Sequence, residues 1–100
     1  LEQVAPSSVV RLNRAVALGM GKGPREGLRL LEPLERDRWM AGSHRLSAVR
    51  AYLLERDGDL DGALEAYRTA AGQAASGPER RFLAEQVERV AGVVAARSEG

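Results

Sequence analysis

The chain has 100 residues, 44% of them apolar, and a formal charge of +1. It is long enough for one small domain with its own core and too apolar for a disordered segment. It is also too nearly neutral to be drawn to DNA or a membrane surface by its overall field. The absence of cysteine excludes disulfides and thiolate metal sites, and no apolar run is long enough to span a bilayer.

The chain opens on Leu1 rather than Met, so it is expected to be a piece of a longer protein. Pro6-Ser7-Ser8 reads as an N-cap, and Val9 to Leu18 continue as a first helix over about 8–20. Gly21 to Gly23 stop it. Pro24 suits the first turn of a second helix, over 24–35, because a missing N–H costs nothing there. Leu28, Leu31 and Leu34 form its apolar stripe, widened by Leu30. Residues 36–42 form the longest connection, and Trp39 is expected to pin it to the core. Ser43 caps a third helix over 43–56, with Leu46, Val49, Leu53 and Leu54 on one face. Asp57-Gly58-Asp59 is a turn. A fourth helix over 60–75 carries Leu60, Ala63, Leu64, Tyr67 and Ala70, and Ser76-Gly77-Pro78-Glu79 restarts the chain. The fifth helix, over 79–96, shows Leu83, Val87, Val90 and Val94 at intervals of four, three and four. Every long segment has a helical period and every breaker cluster falls between periods, so the fold class is all-α.

The helices also repeat. Arg14 to Leu18 resemble Arg50 to Leu54 at an offset of 36, and Leu28, Leu31 and Leu34 fall on Leu64, Tyr67 and Ala70 at the same offset. A helix-turn-helix unit recurring at about 34 residues is the tetratricopeptide period. Gly58 sits at the turn of the second unit, with Ala63, Tyr67 and Ala70 at the small, aromatic and small positions of its second helix. The first unit places Gly27 and Leu31 at the small and aromatic positions. The expected architecture is two divergent repeats of antiparallel helix pairs plus a final helix covering the exposed end.

Gly19-Met20-Gly21-Lys22-Gly23-Pro24 surrounds the only lysine with glycines. A phosphate-binding loop needs a preceding strand, a glycine five residues before the Gly-Lys pair and Ser or Thr after the lysine. Here those places hold a helix, Val16 and Gly23. The glycines read instead as a tight turn between helices. His44 stands at a helix start with no cysteine to complete a zinc site. Asp57, Asp59 and Asp61 alternate like a calcium loop, but Arg68 occupies the place of its final glutamate. Arg80-Arg81 and Arg45 are diluted by Glu79, Glu85 and Glu88, and with few aromatic platforms they do not make a nucleic-acid surface. The residues therefore indicate no catalytic, cofactor or metal site and no direct nucleic-acid binding.

Arg14 and Arg50 fall inside apolar arcs on a helical wheel, Arg14 between Val10 and Leu18 and Arg50 between Leu46 and Leu54. Both are expected to be buried and ion-paired within the domain. In tetratricopeptide arrays the first helix of each pair lines the concave face. That places Leu12, Val16 and Met20, with Arg45, Ala48, Tyr52 and Arg56, on a partner-facing surface suited to a peptide or a neighbouring domain.

Four segments in order carry a further likeness. They are Ser8 to Ala17, Gly23-Pro24 with Gly27-Leu28, Ala41 to Leu46 with Ala48 to Ala51, and Pro78 to Leu83. Together, across roughly residues 6–95, they resemble the C-terminal extension of a group of bacterial extracytoplasmic-function RNA polymerase sigma factors. Those proteins carry two N-terminal sigma domains followed by a long tetratricopeptide-like region. Fourteen arginines against one lysine, with abundant Ala and Gly, fit a GC-rich genome. The resemblance implies a non-catalytic, cytoplasmic regulatory region that modulates transcription initiation. Its partners would be the sigma domains of the same chain, RNA polymerase or a regulatory protein. It carries over no catalytic residue. The alternative from the residues alone is a tetratricopeptide-like adaptor unrelated to transcription.

Overall fold

The computed structural model describes residues 6–37 and 42–99. These form five helices and no strand: α1 Pro6–Gly21, α2 Pro24–Arg36, α3 His44–Arg56, α4 Leu60–Gln73 and α5 Gly77–Glu99. The all-α, tetratricopeptide-like arrangement expected from the period is the one found. α1 packs mainly on α2 and α3 on α4, α2 leans on α3, and α5 closes on α4. The molecule measures 46 × 33 × 19 Å, and its short dimension is that of two packed helices of ~10 Å each. Among the described residues, no helix is long and apolar enough to cross a membrane.

The ends of the elements follow from their caps. α1 begins at Pro6, so Ser7 and Ser8 lie inside its first turn rather than ahead of it. Gly23 precedes α2 with φ +118°, a conformation that costs a side chain dearly, and Pro24 opens the helix. Of the glycine-lysine stretch, only Lys22 and Gly23 are thus the turn between α1 and α2; Gly21, expected to stop the first helix, is still its last residue. Lys22 continues the helical bonding by donating its N–H to the Leu18 carbonyl at 2.7 Å.

α3 ends in a Schellman motif. Gly58 takes φ +90°, its N–H donates to the Glu55 carbonyl at 3.0 Å, and the Asp59 N–H donates to the Leu54 carbonyl at 2.9 Å. The same Asp59 caps α4 by accepting from the Gly62 N–H at 2.9 Å. Asp57 pairs with Arg25 at 3.3 Å. The three alternating aspartates therefore belong to a turn, and no group of three metal-ligating side chains gathers among the described residues. Ser76 caps α5 by accepting from the Glu79 N–H at 3.2 Å, which brings Gly77 and Pro78 into the helix. Trp39 lies outside the described residues.

Two apolar clusters meet at α3. Leu12, Ala15, Leu31 and Leu34 join Leu46 and Leu53 on one side. Ala63, Ala66, Tyr67, Ala70, Leu83 and Val90 join Ala51 and Leu54 on the other. The stripe read as one face of α3 is therefore two. Leu46 and Leu53, seven residues apart, face the first helix pair, while Leu54 faces the second. An interior helix of a stack must bury both flanks, because each pair contacts only its neighbours. The close approach of α1 to α2 runs through small residues. Gly27 is buried, and a Cβ built there would lie 2.5 Å from the Ala15 carbonyl oxygen and 3.1 Å from the Gly19 Cα.

This packing corrects the placement of two arginines and one leucine. The core face of α1 is Leu12, Ala15 and Gly19, not the arc through Val10 and Leu18; Val10 is 59% exposed. Arg14 is accordingly exposed and makes no ion pair with a described residue. Arg50 does pair, with Glu35 of α2 at 3.0 Å, but on the surface rather than in the core. On α1 the contact line is set by the small residues that let the backbones meet; on α3, Leu46 and Leu54 face different clusters, and Arg50 between them stays at the surface. Leu12, expected to face a partner, is only 8% exposed and belongs to the first core cluster.

Candidate functional site

An apolar surface lies open between α3 and α5. Phe82, on the first turns of α5, is 57% exposed. It stands between two adjoining clefts. One, of about 340 Å³, is walled by His44, Arg45 and Ala48 of α3 and by Pro78, Phe82 and Leu83 of α5. The other, of about 550 Å³, is walled by Tyr52, Glu55 and Arg56 of α3, by Tyr67 of α4 and by Phe82, Gln86 and Arg89 of α5. Together they form one groove running along α3.

Local rules build each wall. Ser43 caps α3 by accepting from the Arg45 N–H at 3.2 Å, which starts the helix so that Arg45, Ala48, Tyr52 and Arg56 share a face. The guanidinium of Arg56 lies over the Tyr52 ring at 5.5 Å from its centroid. On α5, Leu83 and Val90 are buried, which turns Phe82, Gln86 and Arg89 outward beside them. Arg80, one of the two adjacent arginines, reaches back to donate to the Ala74 carbonyl at 3.1 Å, satisfying the end of α4. Ser47 donates to Gln73 at 2.7 Å and ties α3 to the same end.

The floor of the larger cleft is held by a two-pronged ion pair. Arg89 donates to the two carboxylate oxygens of Glu55 at 2.5 and 2.8 Å and to Gln86 Oε1 at 2.9 Å. The hydrogen bonds from Arg89 hold the Glu55 carboxyl below the ordinary carboxylate value; the charges of Arg89 and Arg56 add to this, against the opposing push of burial. The same bonds raise Arg89. Burial pushes the neighbouring Tyr67 phenol up. At the other end, Glu79 faces His44 Nε2 at 3.4 Å. Both acids that line the groove thus already face a partner within it. Arg45 and Arg56 make no ion pair with a described residue.

Of the seven residues expected to face a partner, the groove brings together Arg45, Ala48, Tyr52 and Arg56. Val16 is half-buried and Met20 is 60% exposed on α1, outside it. Phe82, Glu55, Gln86 and Arg89 were not singled out in the sequence. A signal for the α5 side existed: Phe82, Gln86, Arg89 and Val93 recur at helical spacing beside the Leu83 stripe, and Phe82 and Val93 are apolar yet off the core line. Among the described residues that wall the groove, no nucleophile, base and orienter set is brought together.

Over 92 residues, 91% of the chain, the sequence is 35% identical to an uncharacterized protein of Rhizobium meliloti. The match takes up 21% of that protein, so the chain spans about a fifth of the length of this curated relative. No protein-family model matches, and no solved structure matches.

Proposed function

We propose that the chain is a non-catalytic interaction region of a bacterial sigma factor that modulates transcription initiation through contacts with its own sigma domains, RNA polymerase or a regulatory protein. The observation that carries the interaction reading is the groove between α3 and α5, with an exposed Phe82 at its centre and arginines on its rim. Exposed aromatic and arginine side chains are the residue types that dominate binding energy at protein interfaces. The transcription reading rests on the four ordered segments that resemble the sigma-factor extension. The relative from Rhizobium meliloti is about five times longer than the matched stretch, which suits a region working as part of a larger chain.

The test is promoter-directed transcription in vitro by the full-length protein with polymerase, with and without this region. A changed yield of open complexes or transcripts is expected. An unchanged yield, together with an unchanged response to regulators, would leave an adaptor unrelated to transcription as the better reading.

A further inference from the structure

We infer that the α3–α5 groove is built for a separate partner protein's acidic, extended segment with a bulky apolar residue at its middle. The inference rests on reading this groove as an interaction surface and adds the chemistry of its occupant.

Three observations define that chemistry. Phe82, 57% exposed, divides the groove, and beside it Ala48, Pro78 and Leu83 wall an apolar cleft of about 340 Å³, room for one large side chain. Of the groove's acids, Glu55 is bound by Arg89, while Glu79 faces the His44 ring at 3.4 Å and shares its cleft with Arg45. Arg45 and Arg56 remain without an acid among the described residues, one toward either end. Three arginines, Arg45, Arg56 and Arg89, stand against two acids, Glu55 and Glu79, in the lining, so the net charge of the surface is positive, and it flanks an apolar centre.

The spacing fixes the length of the segment. Arg45 and Arg56 are eleven residues apart on one helix, a rise of ~16 Å at ~1.5 Å per residue, and eleven steps of ~100° bring them back to the same face. An extended peptide covers ~3.3 Å per residue. Two carboxylates about four or six positions apart, an even step that keeps both on one side of an extended segment, with the apolar residue at an even step between them, would meet both guanidinium groups while the anchor enters beside Phe82. Arg56 lies over the Tyr52 ring at 5.5 Å from its centroid, and its guanidinium has more donors than that contact uses, so it can also take a carboxylate.

The experiment is selection of a random peptide library on the full 100-residue chain, followed by fluorescence anisotropy with the enriched peptides. Enriched sequences are expected to carry Asp or Glu on both sides of a Leu, Phe, Trp or Met, about four or six positions apart. Phe82→Ala should weaken the enriched peptide about 30-fold, as an anchoring aromatic does. Arg45→Ala and Arg56→Ala should each weaken it roughly 2- to 5-fold, as rim charges do. Raising salt from about 50 mM to about 500 mM should weaken wild type more than the Arg45→Ala/Arg56→Ala double variant. Lys22→Ala, on the α1–α2 turn, is the control that should change nothing. All four positions are exposed, and circular dichroism confirms folding of each variant. Absence of enrichment, enrichment of neutral or basic peptides, or indifference to Phe82→Ala would overturn the inference. So would a concentration-dependent dimer that Phe82→Ala disperses, since a second copy would then be the occupant. None of these readouts involves transcription, so the peptide chemistry and the sigma-factor assignment can fail separately.

Discussion

Replacing Gly27 by alanine sets two effects of opposite sign against each other. In an exposed helix interior the change stabilises by about 1 kcal/mol, because alanine loses less conformational freedom on folding. At Gly27 the added Cβ would sit 2.5 Å from the Ala15 carbonyl oxygen, 3.1 Å from the Gly19 Cα and 3.0 Å from Leu53 Cδ1. Two of those three atoms are backbone of α1, and no rotamer change removes them. α1 and α2 must separate, and overpacking of this kind costs about 1–3 kcal/mol. The steric cost wins. The 2.5 Å contact with a backbone atom places that cost at about 2–3 kcal/mol, so Gly27→Ala should lose roughly 1–2 kcal/mol net, and Gly27→Val, bulkier and β-branched, at least about 3 kcal/mol. Gly92 in α5 is the matched control, with nothing within 4 Å of a built Cβ. Gly92→Ala should gain about 0.5–1 kcal/mol. Urea unfolding followed by circular dichroism, with the slope held constant, measures both. For a domain of this size the expected difference between the two alanine variants is on the order of 10 °C in Tm. If Gly27→Ala proves as stable as wild type, the close approach of α1 and α2 is not a packing constraint, and the small-residue logic of the first repeat is wrong.

Two further outcomes follow from the turns and the groove. Gly58→Ala places a Cβ at φ +90°, where the surrounding space is open but the backbone conformation disfavours it, so a loss of about 1 kcal/mol in urea unfolding is expected. Glu55 has its folded-state pKa lowered by the Arg89 hydrogen bonds, so its contribution is full above the unfolded carboxylate value and is lost as pH falls through the folded one. Arg89 is 46% exposed, which limits that contribution to roughly 0.5–1 kcal/mol at neutral pH. Glu55→Gln should therefore be less stable than wild type at pH ~7 and nearly equal to it at pH ~3; a constant gap across that range would refute the ion-pair account.

Much of the helical layout was legible from local chemistry alone. Gly58 between two periodic segments gives a turn wherever the chain goes, because only glycine takes its φ cheaply. The leucines of α2 at intervals of three imply a helix with one buried face, and Leu31 and Leu34 are buried. The 36-residue offset already pointed to stacked helix pairs, because such a unit cannot cover its own apolar face. Caps were less legible at α1 and α5, where Pro6 and Gly77 enter the helices ahead of the residues that looked like starts. A proline in the first turn looks the same in sequence whether it begins the helix or precedes it.

What the sequence by itself determined is the set of helices, their turns and the pairing period, since these depend on residues close together in the chain. Tertiary structure alone decided which face of each helix is inside. Arg14 and Arg50 sit among apolar residues on a wheel, yet both are on the surface: α1 packs along Leu12, Ala15 and Gly19, away from the Val10–Leu18 arc, and Leu46 and Leu54 on either side of Arg50 turn toward different helix pairs. The groove belongs to the same class. Phe82 and Arg56 are twenty-six residues apart in sequence and become neighbours only when α4 carries α5 back beside α3. Local sequence sets where a helix begins and ends; which atoms meet across helices is set by how closely the backbones can approach.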